Sequence, residues 1–378
     1  MPVTPLMVLS SDWHLSPFSW KKHPNVHRDS YYSLQQIVDL CIQLNVPLIA
    51  AGDLFDIKHP PSESVVFCVE QMARLQRVGL PVYYIQGQHE LSEIPWISLC
   101  PNATHIDSFK SGLNFKTFDI QGLRVAGQDI EFSGARFSDQ CREMHAQTGS
   151  DKFDLYVTHQ VWADFIKKSD ENFMFKHATF ARVIYTGDFH KTEVLSIDGT
   201  DCLSSGSINM QATNEPPHKF VFILNSDLSW TQYKIKTRPF ALFELRSEKY
   251  FNALMGVTNE ELLAEWPHKD LPEHISTPLV CVRYQNNIPN AYDLLCNKFQ
   301  SWNYEIIPTD FNSSEVTAAV ERKHIQELVD ISECVSQTGF SANTVAHKDA
   351  VRIFNSGNVE HELLEMRKEH IEGAVNVS

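Results

Sequence analysis

The sequence predicts an α/β protein: a two-sheet β-sandwich flanked by helices, with a small α/β cap domain and a helical C-terminal tail. Two observations lead to this prediction. Over the first ninety or so residues, short apolar runs that read as buried strands alternate with amphipathic stretches of helical period. Further along, short strand candidates separated by turn residues follow one another. We interpret this order as two sheets packed face to face with helices outside.

The first five elements form a predicted β-α-β-α-β unit, in which the strands pair in parallel and the helices cover the sheet. The first helix is amphipathic, because apolar residues between Leu34 and Leu44 recur at helical spacing. The five segments are the strand Leu6 to Leu9, the helix Arg28 to Leu44, the strand Pro47 to Ala51, the helix Ser62 to Val78 and the strand Val82 to Gln86.

After Ser92 the pattern predicts short strands joined by turns. The clearest pair surrounds the turn at Gln121 and Gly122. The predicted strands are Asn114 to Ile120, Leu123 to Ala126, Glu193 to Ile197, Phe220 to Leu224 and Trp230 to Ile235.

The pattern changes again near Thr237, and we predict three domains: a main domain at 1–238, a cap domain at 239–310 and a helical tail at 311–378. Apolar residues of the tail recur at helical spacing and suit either packing on the chain's own body or docking of a partner. The cap elements are the helix Asn259 to Glu265, the strand Leu279 to Tyr284, the helix Ala291 to Phe299 and the strand Tyr304 to Ile307.

The composition narrows the class of protein. A formal net charge of −15 argues against a protein that coats polyanions, although bound cations and a local basic patch would still allow a nuclease. We predict no membrane segment, a cytoplasmic location and reduced, mostly buried cysteines. One group of basic residues is either a nucleic-acid track or a solvated face: Lys167, Lys168, Lys176, Arg182 and Lys191.

Five apolar runs end in polar groups that can bind a metal. Ligands gather at the carboxyl ends of strands in open α/β sheets, so groups far apart in sequence can converge on one crevice. Two divalent ions require a bridging carboxylate with nitrogen or oxygen ligands on each side. The segments are Asp12 and His14 after the first strand, Asp53 after the second, Gln88, His89 and Glu90 after the third, His159, and Asp188 with His190.

These motifs resemble the calcineurin-like metallophosphoesterase superfamily, and within it the SbcD-type nucleases that work with an SMC-like ATPase in DNA repair and recombination. The superfamily order D-x-H, G-D, G-N-H-D/E, H and G-H-x-H is matched over residues 12 to 190. Closer likeness to the nucleases comes from Gly52 to Asp56 followed by Pro60-Pro61-Ser62, from Ser205-Gly206-Ser207 and from Glu215. The resemblance implies the metallophosphoesterase fold for residues 1–238, phosphodiester hydrolysis, DNA as substrate and two divalent ions, with Mn²⁺ favoured over Mg²⁺.

The resemblance also implies roles for single residues. Asp12, His14 and His190 would hold metal one, Asp53 would bridge, and His89 would orient the scissile phosphate or protonate the leaving oxygen. Metal two would be held by Gln88, His159 and Asp188. Gln88 replaces the usual asparagine and Asp188 the usual first histidine of G-H-x-H, so both departures fall on metal two.

Other functions stay open at this stage. The alternatives are a phosphoesterase acting on a non-DNA ester, or a non-catalytic scaffold with a degraded second metal site. Protein phosphatases of the superfamily carry an arginine soon after the G-D turn, and this chain does not. Partners implied by the resemblance are DNA and the ATPase, with a homodimer left open.

Overall fold

The structure, a computed structural model, describes residues 3–18, 20, 26–109, 115–148, 151–166, 173–213, 215–264, 271–284, 288–302 and 304–310. Within these ranges lie two six-stranded sheets and a third sheet of three strands. The predicted tail at 311–378 lies outside the described residues. No helix within the described ranges combines the length and apolar character needed to cross a membrane.

The first sheet contains the predicted β-α-β-α-β unit, and all five elements are confirmed. Strands β1, β2 and β3 pair in parallel, and β11 pairs with β1 in the antiparallel direction, in the order β12-β11-β1-β2-β3-β4. Its elements are β1 (Pro5–Ser10), α1 (Asp29–Leu44), β2 (Leu48–Ala51), α2 (Ser62–Arg77), β3 (Val82–Ile85), β4 (Ala103–His105), β11 (Lys219–Asn225) and β12 (Trp230–Ile235).

The second sheet has the order β5-β6-β7-β8-β10-β9 and is parallel from β6 through β10. The predicted hairpin at Gln121 and Gly122 is confirmed, with Ile120 paired to Leu123. Its elements are β5 (Phe118–Ile120), β6 (Leu123–Gln128), α3 (Gly134–Thr148), β7 (Phe153–Thr158), α4 (Ala163–Ile166), β8 (Ala181–Thr186), β9 (Glu193–Ile197) and β10 (Thr200–Ser204).

The expectation of only short strands after Ser92 is wrong for α3. This helix buries Phe137, Cys141 and Met144, at spacings of four and three residues, against the outer face of the second sheet. It also serves as the crossover that lets β6 and β7 pair in parallel. Because polar residues fill the rest of α3, its apolar stripe is narrow and easily taken for scattered core positions.

Alternation along β1 shows how the layers pack. Met7 and Leu9 lie in the core between the two large sheets, whereas Val8 faces the opposite side and packs in the cluster that contains α1 and α2. Side chains of successive strand residues point to opposite faces, so one strand contributes to two cores. The result is the predicted sandwich of two sheets with helices on both outer faces.

The third sheet has the order β13-β14-β15 and its own apolar core with the helices that follow. The sequence pattern missed β13 and α5, and the predicted domain boundaries stay predictions. Its elements are β13 (Phe240–Leu245), α5 (Glu248–Gly256), α6 (Asn259–Ala264), α7 (Glu273–Ser276), β14 (Leu279–Tyr284), α8 (Ala291–Gln300) and β15 (Glu305–Asp310).

Candidate metal centre

The candidate site lies where strands of both large sheets end. The loops after β1, β2 and β3 come from the first sheet, and the loops after β7 and β8 come from the second. Four site residues in these loops adopt left-handed backbone conformations that non-glycine residues seldom occupy. Such strain persists where the surrounding structure over-determines it, which is common at functional sites. The four are Asp12, His14, Asp53 and Asp188, with φ of 52°, 44°, 50° and 69°.

Asp53 lies at the centre of the site. Its Oδ2 atom is 3.4 Å from Nε2 of His159 and 3.7 Å from Nε2 of both His14 and His89. Its Oδ1 atom accepts a hydrogen bond of 3.0 Å from the main-chain N–H of His89. Burial raises the pKa of Asp53, whereas the neighbouring imidazoles, above all His159, lower it by a larger amount. The net result is a lowered pKa. The carboxylate is therefore held as an anion.

Asp12, His14 and His190 form the first half of the site. The Nε2 atoms of His14 and His190 are 3.1 Å apart, and Nε2 of His190 is 3.6 Å from Oδ1 of Asp12. Two nitrogens that each lie about 2.1 Å from one cation are separated by about 3 Å. This half thus has the dimensions of a single-ion site.

Asp12, Asp53 and His159 form the second half. Nδ1–H of His159 donates to the carbonyl oxygen of Ala51 at 2.6 Å, which leaves Nε2 facing the two carboxylates. A hydrogen bond of this kind determines which ring nitrogen is available as a ligand. Asp12 belongs to both halves. Asp53 belongs to the second half, and its Oδ2 atom also lies 3.7 Å from Nε2 of His14 in the first half, so both carboxylates lie between the halves.

Gln88 and Asp188 are paired with each other. Nε2 of Gln88 donates to Oδ1 of Asp188 at 2.6 Å, and the main-chain N–H of Asp188 donates to Oδ1 of Asp12 at 2.9 Å. Oε1 of Gln88 is buried and has no hydrogen-bond partner among the described residues. Asp188 belongs to none of the metal-competent groups in the described chain, although it contacts Gln88 and Asp12. It therefore lies at the edge of the site.

The side chain of His89 is 16% exposed to solvent. Its Nδ1–H donates to the main-chain carbonyl of Asp56 at 2.6 Å, so Nε2 faces the site. His14, Asp53 and His89 also form a metal-competent group. The ring is therefore close enough either to bind an ion or to contact a substrate beside it.

Two acidic residues at the site, Glu90 and Glu215, were not assigned roles by sequence reasoning. Glu90 is buried and accepts a hydrogen bond from the N–H of Gly87, and burial, with the charge of Asp53, raises its pKa to about 8. Glu215 accepts a hydrogen bond from Nδ1 of His190 at 2.9 Å. The sequence signal that could have identified Glu90 is its place directly after Gln88 and His89. The contact of Glu215 with His190 depends on a loop conformation.

The donor set fits divalent cations. Buried polar atoms in proteins are nearly always hydrogen-bonded, yet four of the proposed ligands each have a buried atom without such a partner in the described part of the chain: Oδ2 of Asp12, Oδ2 of Asp53, Oε1 of Gln88 and Nε2 of His159. All four are lone-pair donors. Nitrogen and oxygen donors without thiolate suit Mn²⁺ or Mg²⁺.

A glycine beside His159 tests how tightly the site is packed. A Cβ at Gly187 would lie 2.4 Å from both the Ala51 carbonyl oxygen and Nδ1 of His159, the two atoms of the orienting hydrogen bond. We expect Gly187→Ala to lower the affinity for Mn²⁺ by at least about tenfold, since loss of an orienting partner costs about 10- to 100-fold, and to destabilise the fold by about 1–3 kcal/mol. Calorimetric Mn²⁺ titration and thermal melting measure both effects.

Gly256→Ala is the matched control, because nothing lies within 4 Å of a Cβ at that position. It should leave Mn²⁺ binding unchanged. Wild-type Mn²⁺ affinity in Gly187→Ala would show that the loop accommodates a methyl group and that the packing around His159 is not required.

Comparison with known proteins adds to this geometry. No family model matches the sequence. The chain is 24% identical over 288 residues to the DNA double-strand break repair protein Mre11 of Methanosarcina acetivorans, a match covering 70% of this chain and 44% of that protein. A shorter match to the Mre11 of Sulfurisphaera tokodaii is 33% identical over 84 residues and covers 21% of each chain. The metallophosphoesterase YhaO of Bacillus subtilis, itself uncharacterized, is 23% identical over 239 residues, 58% of each chain.

The two-sheet fold, the order of the strand-end ligands and these relatives support assignment of the chain to the calcineurin-like metallophosphoesterase superfamily. Within that superfamily it is related to the DNA double-strand break repair proteins named above. The matches span about half the length of the Methanosarcina and Bacillus relatives.

Proposed function

We propose that the chain is a metal-dependent hydrolase of phosphoester bonds that cleaves DNA phosphodiesters. The observation that carries the proposal is the convergence of Asp12, His14, Asp53, His159 and His190. Within the described residues, Oδ2 of Asp12, Oδ2 of Asp53 and Nε2 of His159 are buried there without a hydrogen-bond partner. Similarity to proteins of DNA double-strand break repair supports DNA as the substrate.

Two divalent ions, Mn²⁺ in preference to Mg²⁺, complete the proposed site. Asp12, His14 and His190 would hold metal one, and His159 with the Gln88 carbonyl oxygen would hold metal two. Asp53 would lie between them, and Asp188 as a direct ligand stays a prediction. Bound divalent ions supply Lewis-acid polarisation of the phosphate and a nucleophile at neutral pH.

His89 has a separate proposed role. With Nδ1–H committed to the Asp56 carbonyl, Nε2 is the ring atom that can face the leaving oxygen. The protonated ring would deliver its Nε2 proton to that oxygen as the P–O bond breaks. An imidazole is suited to this step because its pKa ordinarily lies near neutrality.

The experiment that tests the function is cleavage of labelled single- and double-stranded DNA by the purified full chain with Mn²⁺, with and without chelator. We expect chelator-sensitive cleavage of DNA. A chelator-sensitive activity on a small aryl phosphate diester without DNA cleavage would favour the non-DNA phosphoesterase. No hydrolysis of either substrate would favour the non-catalytic scaffold.

Metal preference should depend on Asp188. Replacing Asp188 by His exchanges a hard carboxylate for an imidazole, which suits Zn²⁺, and removes the bond from Gln88. We expect the ratio of Zn²⁺ to Mn²⁺ affinity to rise by about tenfold or more, measured by calorimetry with each metal. An unchanged ratio would mean that Asp188 acts outside the coordination sphere.

We also propose that residues 311–378 dock an SMC-like ATPase through the apolar residues that recur in their sequence at helical spacing. Amphipathic helices bind partner grooves through such stripes. We expect a chain ending at Thr309 to keep basal Mn²⁺-dependent cleavage and to lose binding to the ATPase, as measured by co-purification of the two proteins. An insoluble or inactive truncation would mean that the tail belongs to the chain's own core.

A further inference from the structure

A buried ion pair lies behind His190, on the side of the ring away from the metal-competent atoms. Oε1 of Glu215 accepts from Nδ1–H of His190 at 2.9 Å. Its other oxygen, Oε2, accepts from Nζ of Lys219 at 2.6 Å and from Oγ of Ser207 at 2.8 Å. Lys219 also donates to Oγ of Ser207 at 2.8 Å. These contacts connect His190 to Lys219 through one carboxylate.

The burial of this pair is unusual. Lys219 is 1% exposed and Glu215 is 6% exposed, and no other lysine in the described ranges is buried. Lysine and glutamate are almost never fully buried unless paired, because taking each charge out of water costs several kcal/mol. Replacing such a pair with apolar residues is often neutral or stabilising. Stability alone therefore does not explain why a charged pair occupies this position.

The main chain around His190 packs against residues 204–206, which directly precede Ser207. A Cβ at Gly206, where φ is +73°, would lie 2.8 Å from the carbonyl oxygen of His190. The single O–H of Ser204 lies within hydrogen-bond distance of the carbonyl oxygens of both Phe189 and Lys191. Oγ1 of Thr192 donates to the carbonyl oxygen of Ser205. The His190 backbone is thus packed against this segment while Glu215 holds its ring.

We propose that Glu215 and Lys219 are positioning residues that set the metal affinity of the half-site formed by Asp12, His14 and His190. Glu215 holds the His190 ring with Nδ1 protonated and Nε2 directed toward Asp12 and His14. Lys219 and Ser207 hold the carboxylate in that orientation and balance its charge. The inference rests on the metal-dependent function proposed above.

The test is Mn²⁺ titration of the full chain by calorimetry, with thermal melting recorded for each variant. Partners that orient a ligating histidine affect metal affinity by about 10- to 100-fold. We expect Glu215→Gln to weaken the Mn²⁺ site that contains His190 by that factor and to leave the other site within about twofold. Lys219→Met, which leaves the Glu215 carboxylate without its cation, should weaken the same site.

Asp29→Asn is the matched control. Asp29 forms a comparably buried ion pair with Arg238 at 2.8 Å, and Arg238 also donates to the carbonyl oxygens of Thr277 and His274, which are not proposed ligands. It should lower the melting temperature and leave both Mn²⁺ affinities unchanged. Loss of Mn²⁺ affinity in this control equal to that in Glu215→Gln would overturn the proposal, because a general loss of stability would then explain both.

Ser207→Ala keeps the test decisive if Glu215→Gln does not fold. It removes one hydrogen bond to the Glu215 carboxylate and one from the Lys219 ammonium group, so the site should weaken by about tenfold, the lower end of the range for partners that orient a ligating histidine. If Glu215→Gln folds, unchanged Mn²⁺ affinity in that variant would overturn the inference. If Glu215→Gln does not fold, unchanged Mn²⁺ affinity in Ser207→Ala would overturn it.

Failure of the inference is distinguishable from failure of the function. Wild-type protein that binds Mn²⁺ but cleaves no DNA would remove the proposed function and leave the role of Glu215 to be judged by affinity alone. Wild-type protein that binds no Mn²⁺ would overturn both.

Discussion

Asp53→Asn should abolish hydrolysis, lowering the rate by at least about 10³-fold, with loss of Mn²⁺ from at least one position. Oδ2 of Asp53 lies within 3.7 Å of three imidazole Nε2 atoms and has no hydrogen-bond partner in the described chain. Metal ions supply several kcal/mol of transition-state stabilisation, and each 1.4 kcal/mol or so is tenfold in rate. Steady-state rates and Mn²⁺ stoichiometry measure the two effects.

The substitution should leave the fold intact. Asparagine tolerates the left-handed backbone that position 53 adopts, with φ of 50°, and its carbonyl can still accept from the N–H of His89. Circular dichroism would check this. Two bound Mn²⁺ ions and a rate within tenfold of wild type would show that Asp53 does not connect the metals.

His89→Ala should lower the rate by about 10²- to 10⁴-fold, the usual contribution of a general acid, while leaving Mn²⁺ stoichiometry unchanged. The ring is 16% exposed and its Nδ1 is bound to the Asp56 carbonyl, so it contributes little to the core. Comparison of turnover with bound Mn²⁺ separates the two roles that the geometry allows. Loss of Mn²⁺ affinity would instead make His89 a ligand.

A change of leaving group provides the control for this prediction. A 4-nitrophenolate leaves without needing much proton transfer, whereas the alkoxide of a nucleotide needs it. The defect of His89→Ala should therefore be much smaller with a 4-nitrophenyl phosphodiester than with DNA. An equal loss with both substrates would contradict the assignment of proton donation to His89.

Elements with strong periodicity were predictable from sequence. Helix α1 is predicted from Arg28 to Leu44 and is observed from Asp29 to Leu44. The prediction succeeds because two local properties define the helix: its apolar stripe, and its end at Asn45, which adopts a left-handed conformation. Helix α3 was missed because three buried residues among many polar ones form a narrow stripe. Strand β13 was missed because only its two terminal residues, Phe240 and Leu245, are buried, so its buried positions show no regular alternation, and because it directly follows Pro239.

The meeting of the ligands was also predictable. Asp12, Asp53 and Gln88 follow three strands that pair in parallel, so their loops must lie at one edge of the first sheet. The same argument brings His159 and His190 together after β7 and β8 in the second sheet. Their roles as ligands remain to be tested by the substitutions above.

Sequence by itself determined the class of fold and the strand-end residues that meet at the site, because strand and helix periods and the direction of parallel pairing are properties of the chain pattern. Only the tertiary structure decided the pairing of Gln88 with Asp188 and the contacts behind the ring nitrogens, from Ala51 to His159 and from Glu215 to His190. These contacts join loops from different strands. Their geometry depends on backbone conformation and side-chain packing across the two sheets, which no local pattern encodes.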